Sequence, residues 1–145
     1  MISARDLFDA LVPLLPDDVT WSFDYADVQI IDGEVETDLV NAGAIYFRGG
    51  PNPTDRDLST GKYKRQYYRL DFNIYSDFGV NGVIRGNEIC SKICDTLDTI
   101  FNHTFNVNNK TGVFLNFVKT GNFGKVGVTR DGVSIFSFSY ILQYS

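Results

Sequence analysis

The chain has 145 residues, a length typical of a single domain with a sizeable core, and we predict one domain over residues 1–145. Its 12 Phe and 8 Tyr favour strands over a helical bundle, while two Cys and one His exclude a disulfide framework and a His/Cys metal site. The net charge of −5 argues against a protein that grips duplex nucleic acid, and no apolar run is long enough for a membrane helix.

An amphipathic helix is predicted at the start of the chain. Ser3 is a suitable N-cap, and Asp6 stands three residues later as the acid of a capping box. Leu7, Phe8 and Leu11 share one helical face, and the prolines that follow predict an end near residue 11 or 12.

The next region is rich in acids and poor in clear periodicity. Residues 17–41 are predicted to form an edge strand and loop, because their acids are too dense for a central strand. Residues 44–48 have the composition of a short strand that stops at two glycines. Residues 49–65, with two prolines, one further glycine and hardly any large apolar side chain, are predicted to be a long mobile loop.

The second half of the chain has stronger patterns. Residues 66–75 alternate between apolar and polar side chains, which predicts a strand with one core face and one face that is wet or an interface. A turn region is predicted over residues 79–86, and a broad apolar stripe then predicts a second helix that begins at Asn87 and ends near residue 102. Strands are predicted over 113–118, 125–130 and 134–144, with Asp131-Gly132 as the turn of a hairpin. This order predicts an α+β fold, an antiparallel or mixed sheet with both helices on one face.

Charge is distributed unevenly along the chain. Residues 1–41 carry ten acids and one base, a formal charge of −9, whereas the remainder carries 12 bases and eight acids. Such polarity is typical of subunits that pair acidic with basic surfaces, although a solvated acidic face with no partner is equally compatible with it. The uneven charge distribution is therefore compatible with self-assembly and with a different protein partner.

One segment has the composition of a binding surface. Basic residues are interleaved with tyrosines over residues 62–69, a mixture that either anchors a protein interface or binds single-stranded nucleic acid. The acidic total favours the protein interface. The predicted contact residues on the basic side are Arg56, Lys62, Tyr63, Lys64, Arg65 and Tyr67, and those on the acidic side of a neighbouring subunit are Asp24, Asp27, Asp32, Glu34 and Glu36.

Catalytic and metal-binding patterns are weak. His103 lies in an Asn-rich stretch without a nucleophile signature, and Cys90 and Cys94 lie on the apolar stripe of the second helix, as core thiols would. The acids do not follow the spacing of a calcium loop, and the glycines do not form a phosphate loop. We therefore expect no enzyme activity, no metal and no cofactor, with a small enzyme of unfamiliar type as a residual alternative.

The order and texture of the elements resemble a known family. A short helix (ARDLFDALVPLL) is followed by a long loop, a Tyr-Arg-rich strand (YYRLDFNIYS), a helix (GNEICSKICDTLDTIF) and a closing strand (DGVSIFSFSYILQY). In this order the chain resembles the tail terminator group, the minor capsid and tail-completion proteins of long-tailed bacteriophages. Head-completion and connector proteins of the phage neck share parts of the pattern and are the alternative within this class.

The resemblance implies a structural role. Its members form a ring, usually hexameric, on the last ring of the tail tube, where they stop tube growth and present a surface to the head connector. The expected partners are therefore further copies of the chain, the tail-tube protein and the head connector, with DNA passing through the lumen without specific binding and with no membrane. The expected location is the tail or neck of the virion, after assembly in the host cytoplasm.

Overall fold

The structure, a computed structural model, describes residues 2–23, 40–56, 63–129 and 131–145. This part of the chain forms two α-helices, a 3₁₀ turn over Val12–Leu14 and seven strands in one mixed sheet, an α+β fold. The elements are, in chain order, α1 (Ala4–Leu11), β1 (Thr20–Phe23), β2 (Ala42–Arg56), β3 (Tyr63–Phe78), α2 (Gly79–Thr99), β4 (Phe101–Val107), β5 (Lys110–Lys119), β6 (Gly124–Val128) and β7 (Val133–Tyr144).

The sheet is built around β3 and β7, the two strands with the clearest alternation in the sequence. Its order is β1-β2-β3-β7-β5-β4, and β6 pairs with the first half of β7. β1 lies parallel to β2, and the other pairings are antiparallel, which makes the sheet mixed. The predicted edge strand within residues 17–41 is confirmed as β1, whereas residues 24–39 lie outside the described part of the chain.

One face of the sheet packs on both helices, and we call it the inner face. Apolar residues of α1 and α2 join those of the strands in a single hydrophobic cluster. On β3 and β7 the predicted alternation is confirmed, because every second residue is buried. The inner-face residues of these two strands include Tyr68, Leu70, Phe72, Ile74, Phe136, Phe138, Tyr140 and Leu142.

The predicted start of the first helix is confirmed in detail. Ser3 Oγ accepts a hydrogen bond from the backbone N–H of Asp6 at 3.1 Å, and Asp6 Oδ2 accepts one from the backbone N–H of Ser3 at 2.9 Å. This reciprocal pair is the capping box that the sequence predicts. The helix ends at Leu11, also as predicted.

Three predicted boundaries are wrong. The second helix begins at Gly79 rather than Asn87, so the turn expected over 79–86 is the first two turns of α2. The loop predicted over 49–65 is also wrong at both ends, because β2 continues to Arg56 and β3 begins at Tyr63. Only residues 57–62 of that loop lie outside the described part of the chain.

One strand, β4, was not predicted. The Asn-rich stretch after α2 forms β4 and turns back into β5 through Asn108 and Asn109, whose φ angles are +50° and +62°. Val107 and Lys110 are paired, so the loop has two residues, both in the left-handed region. Asparagine is among the few residues that tolerate this conformation, which is typical of a tight hairpin turn.

Candidate interface surface

Past the end of β7 the sheet continues on both sides, as the β4–β5 hairpin on one side and as a two-stranded ribbon of β2 and β3 on the other. Pairing between β3 and β7 begins at Gln66, and before it Tyr63 and Arg65 of β3 pair with β2. In this extension Arg56 is opposite Tyr63 and Asp55 is opposite Arg65. At about 3.3 Å per residue, three residues project about 10 Å beyond the end of β7. We call residues 52–56 and 63–67 the ribbon.

The ribbon is irregular on its β2 side. The register shifts between Arg48 and Asn52, between Pro53 and Asp55, and again before Arg56. The shifted segment contains Gly49, Gly50 and two prolines, residues that weaken a strand or remove a backbone donor. Such bulges bend the strand and increase its twist. This composition predicts a loop, whereas in the structure the segment is an irregular strand that still pairs with β3.

Most of the predicted basic contact residues lie on the ribbon. The backbones of Arg56, Tyr63 and Lys64 are part of it, Arg65 is exposed, and Tyr67 is half-buried. Lys62 lies outside the described residues. The structure therefore brings five of the six predicted basic-side residues onto one projecting feature.

The predicted acidic counterparts come from one segment near the start of the chain. They all belong to residues 24–39, which lie outside the described part of the chain, and their pairing with the ribbon stays a prediction. These counterparts are Asp24, Asp27, Asp32, Glu34 and Glu36.

A polar cluster covers the centre of the sheet face opposite the helices, which we call the outer face. Arg48 of β2 is directly opposite Arg69 of β3, and Asp71 lies between Tyr46 of β2 and Ser139 of β7. Because side chains on adjacent strands project to the same side at paired positions, these five groups are neighbours. We call Arg48 and Arg69 the arginine pair.

Asp71 is the centre of this cluster. Its Oδ1 accepts hydrogen bonds from Arg69 Nε at 3.1 Å and from Ser139 Oγ at 2.6 Å, and its Oδ2 forms an ion pair with Arg48 Nε. The guanidinium carbon of Arg48 also lies 4.3 Å from the centre of the Tyr46 ring, a cation–π contact. One carboxylate therefore faces two guanidinium groups, and a formal charge of +1 remains.

Part of this cluster was predicted from the sequence. The alternation over residues 66–75 places Arg69 and Asp71 on the wet or interface face of their strand, which the structure confirms. Arg48 was not predicted as a site residue, although it ends the strand predicted over residues 44–48. Its spacing from Tyr46 puts both on one face of that strand, but only the register of β2 with β3 brings Arg48 opposite Arg69.

The residues considered for catalysis lie apart from this surface. Cys90 and Cys94 are buried free thiols in α2, and burial, with Cys94 adding to it, raises the pKa of Cys90 to about 12. His103 is exposed on β4 and stacks on Phe114 with ring centres 6.5 Å apart. Within the described ranges, no group of three or more His, Cys, Asp or Glu side chains could hold a metal ion.

Comparisons with known proteins add no family. No model of a known protein family matches the chain, and no curated protein sequence matches it significantly. Among the residues that the structure describes, neither helix is long and apolar enough to cross a membrane.

Proposed function

We propose that the chain is a structural assembly protein of a long-tailed bacteriophage, a tail terminator that forms a ring at the end of the tail tube. In this role the ring ends tail polymerisation and provides the surface that joins the head connector. The protein acts in the tail or neck of the virion after assembly in the host cytoplasm, and it performs no catalysis. DNA passes through the lumen of the ring without specific binding.

The projecting ribbon carries this proposal. A subunit that closes a ring meets its neighbour through two different patches, so it needs one feature that reaches out and another that receives it. The ribbon extends about 10 Å past the end of β7, and Arg65 is exposed on it, while the first 41 residues hold the acidic excess of the chain. A basic ribbon that reaches an acidic part of the next copy would give the head-to-tail contacts of a ring.

The resemblance in element order supports the choice of phage component. A first helix, a central strand, a second helix and a closing strand follow one another as in the resemblance, while most of the long loop expected before the central strand is the paired ribbon. The same features suit another neck or head-completion protein of the phage, which is the alternative within this class. Both roles predict self-association, and only the terminator role predicts capping of tail tubes.

The proposal is tested by assembly of the full chain. We expect light scattering and negative-stain imaging to show closed rings, either in free solution or on the ends of purified tail tubes, with tube growth arrested. Lys64→Glu/Arg65→Glu should abolish ring formation and docking, whereas Lys92→Glu/Lys125→Glu, which changes two exposed lysines away from the ribbon by the same charge, should not. Wild-type assembly by the ribbon variant would contradict the proposal, as would a wild-type chain that neither forms rings nor binds tubes.

A second candidate function comes from the same surface. Arg65, Tyr67 and Arg69 follow one another at alternate positions of β3, so they share a face, and such a row suits the backbone and bases of single-stranded nucleic acid. This function predicts oligonucleotide binding that weakens steeply with salt. The absence of binding at low salt would remove it.

A further inference from the structure

We infer that the arginine pair on the outer face is a docking site for the carboxylates of a second copy of the chain. The inference rests on the proposed ring, because the ring supplies the neighbouring copy. It adds a site at the centre of the outer face, away from the ribbon. The site is formed by Arg48 and Arg69 with Asp71 between them.

The placement of the two arginines is unfavourable for the isolated subunit. Like charges at directly opposite positions of an antiparallel pair destabilise it, and Arg48 and Arg69 are such a pair. Asp71 compensates one of the two charges and leaves the other. A carboxylate of a neighbouring copy that approaches this face would compensate the remaining arginine charge.

The arginine pair is also held in position. Asp71 has only 17% of its side chain exposed, and it is fixed by Ser139 Oγ from the next strand at 2.6 Å. Through it both guanidinium groups are anchored at Nε, and Arg48 lies on the Tyr46 ring as well. Groups that are oriented before binding lose less side-chain freedom when the partner arrives.

The anchored guanidinium groups still face solvent. The side chains of Arg48 and Arg69 are 54% and 60% exposed. A guanidinium group has five N–H donors in a planar fork that matches a carboxylate, so anchoring at Nε is compatible with a second anion at the outer nitrogens. Arginine is also among the residue types that dominate the energy of protein interfaces.

The site is continuous with the ribbon. Arg65, Tyr67 and Arg69 occupy alternate positions of β3, so the same face leads from the exposed Arg65 to the arginine pair. At about 3.3 Å per residue, Arg65 and Arg69 are about 13 Å apart along the strand. An extended acidic segment of a neighbour could therefore contact both.

The occupant follows from charge. Residues 24–38 contain six acids and no base, and they belong to the acidic first part of the chain. Every copy in a ring brings one such segment to one arginine pair, so the contact repeats around the ring without any other component. Nucleic acid is the weaker match because its binding depends on many basic contacts to phosphates, whereas Asp71 leaves the arginine pair with one uncompensated charge.

The test uses a fluorescein-labelled peptide of residues 24–38 and measures its anisotropy. The acceptor is the full-length chain in which the six acids of the same segment are changed to Asn or Gln, so that its own segment does not compete. We expect saturable binding that weakens as salt rises, and at least about a tenfold weaker affinity when the acceptor also carries Arg48→Gln/Arg69→Gln. The control acceptor carries Lys92→Gln/Lys125→Gln, which removes the same charge elsewhere and should bind the peptide as before.

The outcomes separate this inference from others. Equal loss of affinity in the arginine and lysine variants would overturn it, because the peptide would then sense net charge alone. No peptide binding at low salt would also overturn it, and so would an arginine-dependent affinity for oligo-dT that exceeds the affinity for the peptide. If the double variant does not melt cooperatively, the single variants Arg48→Gln and Arg69→Gln, each of which keeps one guanidinium on Asp71, replace it.

Failure here and failure of the proposed function can be told apart. Rings that form with a peptide that does not bind would remove the docking site and leave the assembly role. Arginine-dependent peptide binding by a chain that never forms rings or caps tubes would keep the docking site and remove the ring.

Discussion

Lys110 Nζ donates a hydrogen bond to Asp6 Oδ2 at 2.7 Å and thereby joins the first turn of α1 to the start of β5. Asp6 is also the acid of the capping box, and its Oδ1 accepts a hydrogen bond from Asn108 Nδ2 at 2.9 Å. Only 7% of its side chain is exposed. One carboxylate thus fixes a helix start and a hairpin turn that are 102 residues apart in sequence.

This arrangement predicts that stability falls at low pH. The Lys110 contact, followed by the Ser3 and Asn108 hydrogen bonds, holds the pKa of Asp6 well below its usual range. An aspartate in the unfolded chain titrates near 3.9. Because the folded pKa is the lower one, the stabilisation is complete above about pH 5 and is lost progressively as the pH falls through the unfolded value toward the folded one. Asp6→Asn should lower the melting temperature at pH 7, and its difference from the wild type should shrink below pH 4.

Asp95→Asn is the matched control for this experiment. Asp95 is an exposed residue of α2, so its substitution should leave the melting temperature at pH 7 nearly unchanged. A constant difference between Asp6→Asn and the wild type from pH 7 to pH 2.5 would contradict the role given to the Asp6 carboxylate.

Gly86 gives a second prediction, which concerns packing. It lies on the buried side of α2, where a Cβ atom would overlap the ring of Phe136 on β7. Gly86→Ala should therefore destabilise the protein by about 1–3 kcal/mol, the usual cost of overpacking a core. Gly127→Ala, on β6 with open space around the added Cβ, should be neutral or stabilising by up to about 1 kcal/mol. Urea denaturation measures both, and equal effects would contradict the close contact.

The two thiols give a third prediction. Burial raises the pKa of Cys90 to about 12, so at pH 8 its reactive thiolate is nearly absent, and both cysteines are shielded from reagent. We expect a disulfide reagent to label Cys90 and Cys94 only when the protein unfolds, at a rate that rises with denaturant. Ser91→Cys, at an exposed position between them, should add one rapidly reacting thiol. Rapid labelling of the wild type at pH 8 without denaturant would show that α2 does not protect them.

The parts of the fold that the sequence predicts are those with a local physical signature. The capping box of α1 needs only Ser3 and Asp6, and the faces of β3 and β7 follow from strict alternation over many residues. The Asp131-Gly132 turn is also set locally, with Gly132 at a φ of +94°. Each of these features depends on neighbours in sequence, and each was predicted from the sequence.

The errors occur where distant contacts decide the structure. The glycines of residues 79–86 predict a turn, yet Gly86 lies inside α2, where the helix packs on Phe136 of β7 more closely than a Cβ atom allows. The glycines and prolines of residues 49–56 predict a loop, yet pairing with β3 keeps that segment in a strand. Tertiary contacts outweigh intrinsic propensity in both cases.

The candidate site also combines features set by local sequence with a feature set by tertiary contacts. The exposed face of β3 and the basic–tyrosine stretch follow from alternation and composition, and the sequence indicates both. Arg48 could be added only from the pairing of β2 with β3, since nothing in the sequence states that residues 48 and 69 are opposite each other. Register is a property of the assembled sheet, and the arginine pair is a consequence of register.

Asn41 gives the last prediction, because one residue there combines backbone strain and a tertiary hydrogen bond. Its φ of +59° lies in the left-handed region, and its Oδ1 accepts a hydrogen bond from Arg85 Nε of α2 at 3.1 Å. Asn41→Gly loses the hydrogen bond and keeps the backbone conformation accessible, whereas Asn41→Ala loses both. The alanine variant should therefore be less stable than the glycine variant by about 1–2 kcal/mol in urea denaturation. Arg85→Met removes the donor of the same hydrogen bond, together with the ion pair of Arg85 with Asp18. Its loss of stability should equal that of Asn41→Gly if this ion pair contributes little to stability. Equal stability of the glycine and alanine variants would show that the start of β2 does not depend on the left-handed residue.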